Sequence, residues 1–95
     1  MKRADAERLA REALREIEFE GELVLVNAMT RESSSAWLFV YNTSRFVETG
    51  DHREAIVGAG PIIVDRESGS VQHAPNTLTP DEVLRRHAAG ESLSE

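Results

Sequence analysis

Two stretches decide the fold of this chain: Ala36-Trp37-Leu38-Phe39-Val40-Tyr41-Asn42, and Gly58-Ala59-Gly60-Pro61-Ile62-Ile63-Val64-Asp65-Arg66-Glu67-Ser68-Gly69-Ser70-Val71. In the first, Trp37, Phe39 and Tyr41 alternate with Leu38, Val40 and Asn42. Successive side chains of a strand point to opposite faces, so the aromatics share one face and the aliphatics the other. Both faces are apolar, the pattern of a central strand covered on both sides. In the second stretch Pro61 opens a strand over 62–64, where a missing N–H does least harm. Residues 65–70 then form a turn, with Gly69 suited to a positive φ, and residues 71–73 return as the partner strand.

Working outward, Leu23-Val24-Leu25-Val26 begins a β-branched run that continues to Thr30 and stops at Ser33-Ser34-Ser35. The short polar connection over 31–35 predicts a hairpin with the 36–42 strand. Upstream, Ala6, Leu9, Ala10, Ala13, Leu14 and Ile17 recur at helical spacing, starting near Ala4 or Asp5 and ending by Gly21. Glu7 with Arg11 and Glu12 with Arg15 supply surface pairs. The helix is rich in alanine and can lie close to a sheet. Residues 43–53 read as a loop from which Phe46 tucks into the core. Asp51 and Glu54 have capping-box spacing before one helical turn over 54–57, ended by Gly58. Thr79 as N-cap, Pro80 at the first position and Glu82 three residues on start a closing helix, with Val83, Leu84 and Ala88 on its apolar stripe and Gly90 at its end. Residues 91–95 read as a frayed tail. The expected architecture is α+β: an N-terminal helix packed on a four-stranded, mainly antiparallel sheet of two hairpins, with a short C-terminal helix, all in one domain over 1–95.

Composition narrows the function classes. With 95 residues there is material for one core, and a deep cavity would compete with the contacts that keep so small a domain folded. No cysteine is present, which excludes disulfide scaffolds, thiolate metal sites and thiol nucleophiles together. No apolar run is long enough for a signal peptide or membrane span, so a cytoplasmic location is expected. Seventeen acidic against 11 basic residues give a net charge of −6, which repels nucleic-acid phosphates. That charge serves solubility in many proteins and also attracts a basic partner.

Each chemical constellation has a simpler structural reading. Asp65, Ser68, Ser70 and His73 lie around one hairpin, yet no nucleophile-elbow sequence frames either serine, and a turn uses those residues for its own backbone. His52, His73 and His87 are scattered without the paired spacing of a metal site, so neither metal nor cofactor is expected. Gly58-Ala59-Gly60 precedes a strand rather than a helix N-terminus and lacks the lysine of a phosphate loop. Trp37, Phe39 and Tyr41 lack the basic neighbours of a base-stacking platform, which favours core packing. The candidate contact residues are Glu48, Asp51, Glu54, Asp65 and Glu67, in loops flanking the second hairpin. Brought together, they form a negative patch for a basic protein, with Arg45, Arg53 and Arg66 interleaved as internal counter-charges.

The run Trp37 to Asn42, the run Gly58 to Arg66 and the turn Ser68 to Val71 together resemble the immunity protein 35 family, also described as YrhB-like. The resemblance covers roughly residues 36–84. Its pattern is an aromatic strand ending in Tyr-Asn, a polar middle, a Gly-x-Gly-Pro-aliphatic-aliphatic-Val-Asp run, a Gly-bearing turn and a proline-started helix. The chain departs from it at Asn76-Thr77, where the family tends to show Gly-Thr. What the resemblance implies is a non-enzymatic, cytoplasmic protein that binds a cognate bacterial polymorphic toxin domain and blocks it, without catalytic residues. The alternative is a stand-alone chaperone-like or stress-related binding protein. The sequence leaves the oligomeric state open, a homo-oligomer included.

Overall fold

A computed structural model describes residues 1–56 and 58–93. Helix α1 spans Arg3–Arg15, and its fully buried Ala6 and Ala10 bring the backbone close to the sheet beneath. Asp5 accepts a hydrogen bond from the Lys2 N–H at 3.4 Å, and the helix stops at Arg15, earlier than Gly21. Arg8, one turn earlier, takes Glu12 at 3.4 Å, while Glu7 reaches both Arg3 and Arg11.

The expected first strand is two. β1 (Leu23–Leu25) and β2 (Arg31–Glu32) are separated by a 3₁₀ turn at Asn27–Met29. They face β3 (Ala36–Phe39) and β4 (Tyr41–Thr43), with β2 against β3 and β1 against β4. Val26 N–H donates to the Val40 carbonyl, whereas Arg31 pairs with Leu38, so the turn is an insertion into one arm of the hairpin. The insertion bends the arm and splits the hairpin between two small sheets. At the tip, Ser33 Oγ accepts from the N–H groups of Ser35 and Ala36.

The principal sheet has the order β2-β3-β5-β6, where β5 is Ile62–Asp65 and β6 is Val71–His73, and every neighbour is antiparallel. β3 and β5 are therefore central, as the two apolar faces of the quoted stretch require. Trp37, Phe39, Tyr41, Ile62 and Val64 pack beneath α1 with Ala6, Ala10 and Leu14. On the opposite face Ala36, Leu38 and Ile63 meet Val83 of α3 (Pro80–Ala88), together with Ala74 and Leu93. The sheet is thus the middle layer between two helices, and the alternation of β3 divides its side chains between two cores. α3 begins as its sequence predicts, with Thr79 Oγ1 accepting from Glu82 N–H at 3.2 Å and Pro80 at the first turn.

The stretch expected to be a loop contains helix α2, Ser44–Thr49. Thr43 Oγ1 caps it by accepting from Phe46 N–H, and Gly50 at φ 71° closes it. Phe46 is half-buried and tilts against His52, ring centroids 5.7 Å apart, rather than entering the core. The Asp51 cap is present, but the turn it starts is a 3₁₀ turn at His52–Glu54, earlier than expected. Val57, placed in that turn by the sequence, lies outside the described residues, as do the last two positions of the tail. Gly60 is required by close approach, because a Cβ built there would overlap the Ala74 carbonyl. Gly69 has the positive φ expected of it, 76°.

Candidate functional site

The family-type residues around the sheet are occupied in holding it. Asn42 Oδ1 accepts from the N–H groups of Thr43 and Ile56, at 2.8 and 2.9 Å. Thr43 Oγ1 donates to the Glu54 carbonyl at 2.6 Å. This pair fastens the 51–56 segment to the end of β4. At the other end of the sheet, Asp65 Oδ1 accepts from Glu67 N–H and Ser68 N–H, each at 2.8 Å, and Oδ2 accepts from His87 Nε2 at 2.8 Å. The two backbone N–H groups, with the His87 bond, hold the Asp65 carboxyl down at about 2. A carboxylate ionised to that degree only accepts, so Nε2 of His87 carries the proton. Arg66 lies over the Trp37 ring at 4.7 Å, donates to the Ser33 carbonyl at 3.0 Å and reaches Glu32 at 3.7 Å.

The five acidic candidates do not converge. Glu48 is exposed on α2, and Asp51 and Glu54 bracket the 3₁₀ turn beside it. Asp65 and Glu67 sit in the β5–β6 turn, where Asp65 pairs in register with Ala36. Thr43, which holds Glu54, lies seven residues further along the same arm. At about 3.3 Å per extended residue, the two groups are on the order of 20 Å apart. Interleaved arginines do neutralise part of the first group: Arg53 meets Asp51 at 3.0 Å and Arg45 meets Glu54 at 3.4 Å. The Arg53 side-chain bond, seconded by the Arg53 backbone N–H, also lowers the Asp51 pKa. Among the described residues Glu48 and Glu67 have no ion-pair partner.

The polar residues tested for catalysis stay apart as well. His73 is exposed on β6, His52 stacks near Phe46, and the histidine that reaches Asp65 is His87, supplied by α3. Ser68 and Ser70 bond each other at 3.1 Å within their turn. Among the described residues no group of three or more histidines and carboxylates is placed to hold a metal ion.

One element of the surface escaped the sequence reading. Residues 16–22 read Glu-Ile-Glu-Phe-Glu-Gly-Glu, a carboxylate at every second position, and all four glutamates are exposed. Phe19, among them, is 40% exposed. A small cleft of about 80 Å³ joins this segment, through Phe19 and Glu20, to Ser44, Arg45 and Glu54. Val47, one helical turn beyond Ser44, is 48% exposed. The visible signal was the alternation of charge with Ile17 and Phe19 just past the α1 apolar stripe, a place where a fading helix pattern draws attention to where the helix stops instead.

The model of the family described as Immunity protein 35 matches residues 4–87, which takes in most of α1, the whole sheet and nearly all of α3. The chain belongs to the immunity protein 35 family. It is also similar to the uncharacterized protein YrhB of Escherichia coli, with 32% identity over 61 residues. That match covers 64% of this chain and 64% of the relative, so the aligned part spans less than two-thirds of the relative's length. No solved structure matches the chain. For this immunity protein 35 domain, the resemblance resting on the Trp37 and Gly60 stretches is matched by the family model, and the α+β fold is as expected. Among the described residues no helix is long and apolar enough to cross a membrane.

Proposed function

We propose that this member of the immunity protein 35 family is a single-domain, non-enzymatic, cytoplasmic inhibitor that binds a cognate bacterial toxin domain and neutralises it. The observation that carries this reading is the extent of the family match, over 4–87, onto a domain whose acid–histidine pair is spent on its own fold. Asp65 engages two backbone N–H groups and His87 at once, and these bonds hold its carboxyl at about 2, far from the range of a general base at neutral pH. Exposed carboxylates supply what a binding protein needs instead, a field that speeds encounter with a basic partner. In this reading the contact residues belong either to the group of Glu48, Asp51 and Glu54 or to the group of Asp65 and Glu67, since one compact contact does not need both.

The test is co-expression with secreted-toxin domains from the same genome. Cells carrying both survive and the two proteins co-purify; survival no better than with an empty vector defeats the proposal. Glu48→Lys and Glu67→Lys, compared in the same assay, tell which end carries the contact.

A further inference from the structure

The end of the molecule built from residues 16–22 and α2 is an apolar contact surface framed by carboxylates. Among the described residues four large apolar side chains are exposed, and Phe19 and Val47, each close to half exposed, are the two at this end. Neither is a stray residue at a flexible tip. Phe19 lines a cleft against Ser44 and Glu54, whose carbonyl Thr43 holds, and α2 is capped at both termini. An aromatic ring kept at the surface on a fixed support is the arrangement of an interface anchor, since aromatics lose little freedom on docking and bury a large area.

The surrounding charge says what docks there. Glu16, Glu18, Glu20, Glu22 and Glu48 have no ion-pair partner among the described residues, while Arg45 is engaged by Glu54. These carboxylates are exposed, and among the described residues they form no group placed to hold a metal cation. Nucleic acid and anionic membrane are repelled by the same field. A surface that presents arginine or lysine around an apolar centre satisfies both features: its cations meet the glutamates and the face of Phe19, and its apolar group covers Phe19 and Val47.

We propose that Phe19 and Val47, framed by Glu20, Glu22 and Glu48, form the docking surface for a basic protein partner. Reading that partner as the toxin rests on the proposal of the preceding subsection; the surface itself does not. Its residues carry the contact in two different ways. Phe19 holds the complex together once formed, and the glutamates set the rate of encounter and its salt dependence.

The first experiment titrates the isotope-labelled full chain with a synthetic peptide of alternating arginine and leucine and follows backbone amide shifts. Perturbations are expected over 16–22 and 44–48 and to weaken with added salt. Phe19→Ser and the pair Glu20→Lys with Glu48→Lys should each raise the Kd roughly tenfold or more, and Glu67→Lys should leave it unchanged. Amide spectra of the unbound variants verify that each is folded. No binding, perturbations centred on 65–67, or indifference to Phe19→Ser overturns the assignment. The second experiment places the same variants in the co-expression assay. Loss of protection by Phe19→Ser with protection kept by Glu67→Lys supports the surface. If every variant protects like the parent, the toxin does not dock on this surface and the immunity reading stands. If the parent itself fails to protect, the immunity reading falls, and the peptide titration still decides the surface.

Discussion

The two ends of the sheet treat charge and aromatic rings in opposite ways. At the end formed by the Ser33–Ser35 tip and the β5–β6 turn, Trp37 is only 6% exposed, Arg66 stacks on it, and Arg66 and Asp65 both bond to backbone groups. At the end formed by residues 16–22 and α2, Phe19 stands half in solvent beside glutamates whose carboxylates bond nothing within the described chain. Both ends carry carboxylates and an aromatic, so residue type alone does not separate them. What separates them is whether backbone donors and a cation are already in place for those side chains. The first end spends its polar chemistry on folding, and the second leaves its carboxylates exposed, as the proposed contact needs.

The comparison breaks most severely at Trp37. Replacing it with alanine removes the largest side chain of the α1-facing core and the platform for Arg66, and should lower unfolding stability by about 3–5 kcal/mol in urea titrations. Trp37→Phe sharpens the result. Among the described residues the buried indole Nε1 has no acceptor, so phenylalanine removes a desolvated donor while keeping a ring under Arg66. Its cost should be well below that of alanine. Equal losses for the two variants would mean that the ring is not what Arg66 rests on.

Asp65 comes next. Asp65→Asn keeps the shape but loses the charge that favours two backbone N–H groups and His87, and should cost about 1–3 kcal/mol. The pH dependence has a definite sign. The folded carboxyl titrates at about 2, below its ordinary 3.8, so the folded state binds this proton less readily than the unfolded chain does. The resulting stability is present above about pH 4 and is lost as the pH falls from there through about 2. Glu82, held down to about 2 by side-chain bonds from Arg85 and then Arg86, titrates in the same window. The parent and Asp65→Asn should therefore converge in stability as the pH is lowered, and the shrinking gap between them isolates Asp65. A gap that stays constant down to pH 2 would remove the carboxylate from the account.

Much of this organisation was legible because it follows from period and from backbone rules. The alternation of Trp37, Phe39 and Tyr41 with Leu38 and Val40 can be satisfied only by a strand covered on both faces, and Pro61 and Gly69 permit few geometries. The misses share a different cause. α2 is six residues long, too short for a hydrophobic stripe, so its signal was confined to Thr43 and Gly50 as caps. The break at Asn27–Met29 did leave a signal, since none of Asn27, Ala28 and Met29 is β-branched, but three residues are too few to show a change of period. The acidic candidates were chosen from loops near one hairpin, and chain proximity there did not report that Asp65 and Glu54 sit at opposite ends of the sheet. Residues 16–22 are near α2 only through the β1–β4 pairing, a long-range contact that no local pattern encodes.

Thr43 tests whether the α2 end is held as firmly as its contact role requires. Thr43→Ala deletes the α2 cap and leaves the Glu54 carbonyl without its donor, and about 1 kcal/mol of stability should go with them. Amide exchange should then quicken over 44–56 while β5 and β6 are unaffected, since the loosened segment is attached through Asn42 and Thr43 alone among the bonds named above.

The smallest effect on stability belongs to the glutamates, and it is the one that most sharply separates the two ends. Glu20→Lys and Glu48→Lys remove no side-chain hydrogen bond and no ion pair, so unfolding free energies should change by less than about 0.5 kcal/mol. The direction is also informative. Glu20 lies between Glu18 and Glu22 in a chain of net charge −6, so reversing its sign relieves repulsion and should raise stability slightly at low salt, with the gain vanishing as salt is added. A lysine at position 20 that destabilised the fold would show that the carboxylate has a structural partner, and the contrast drawn between the ends would fail. A neutral or stabilising outcome has the opposite meaning: the native glutamate is not there for the fold.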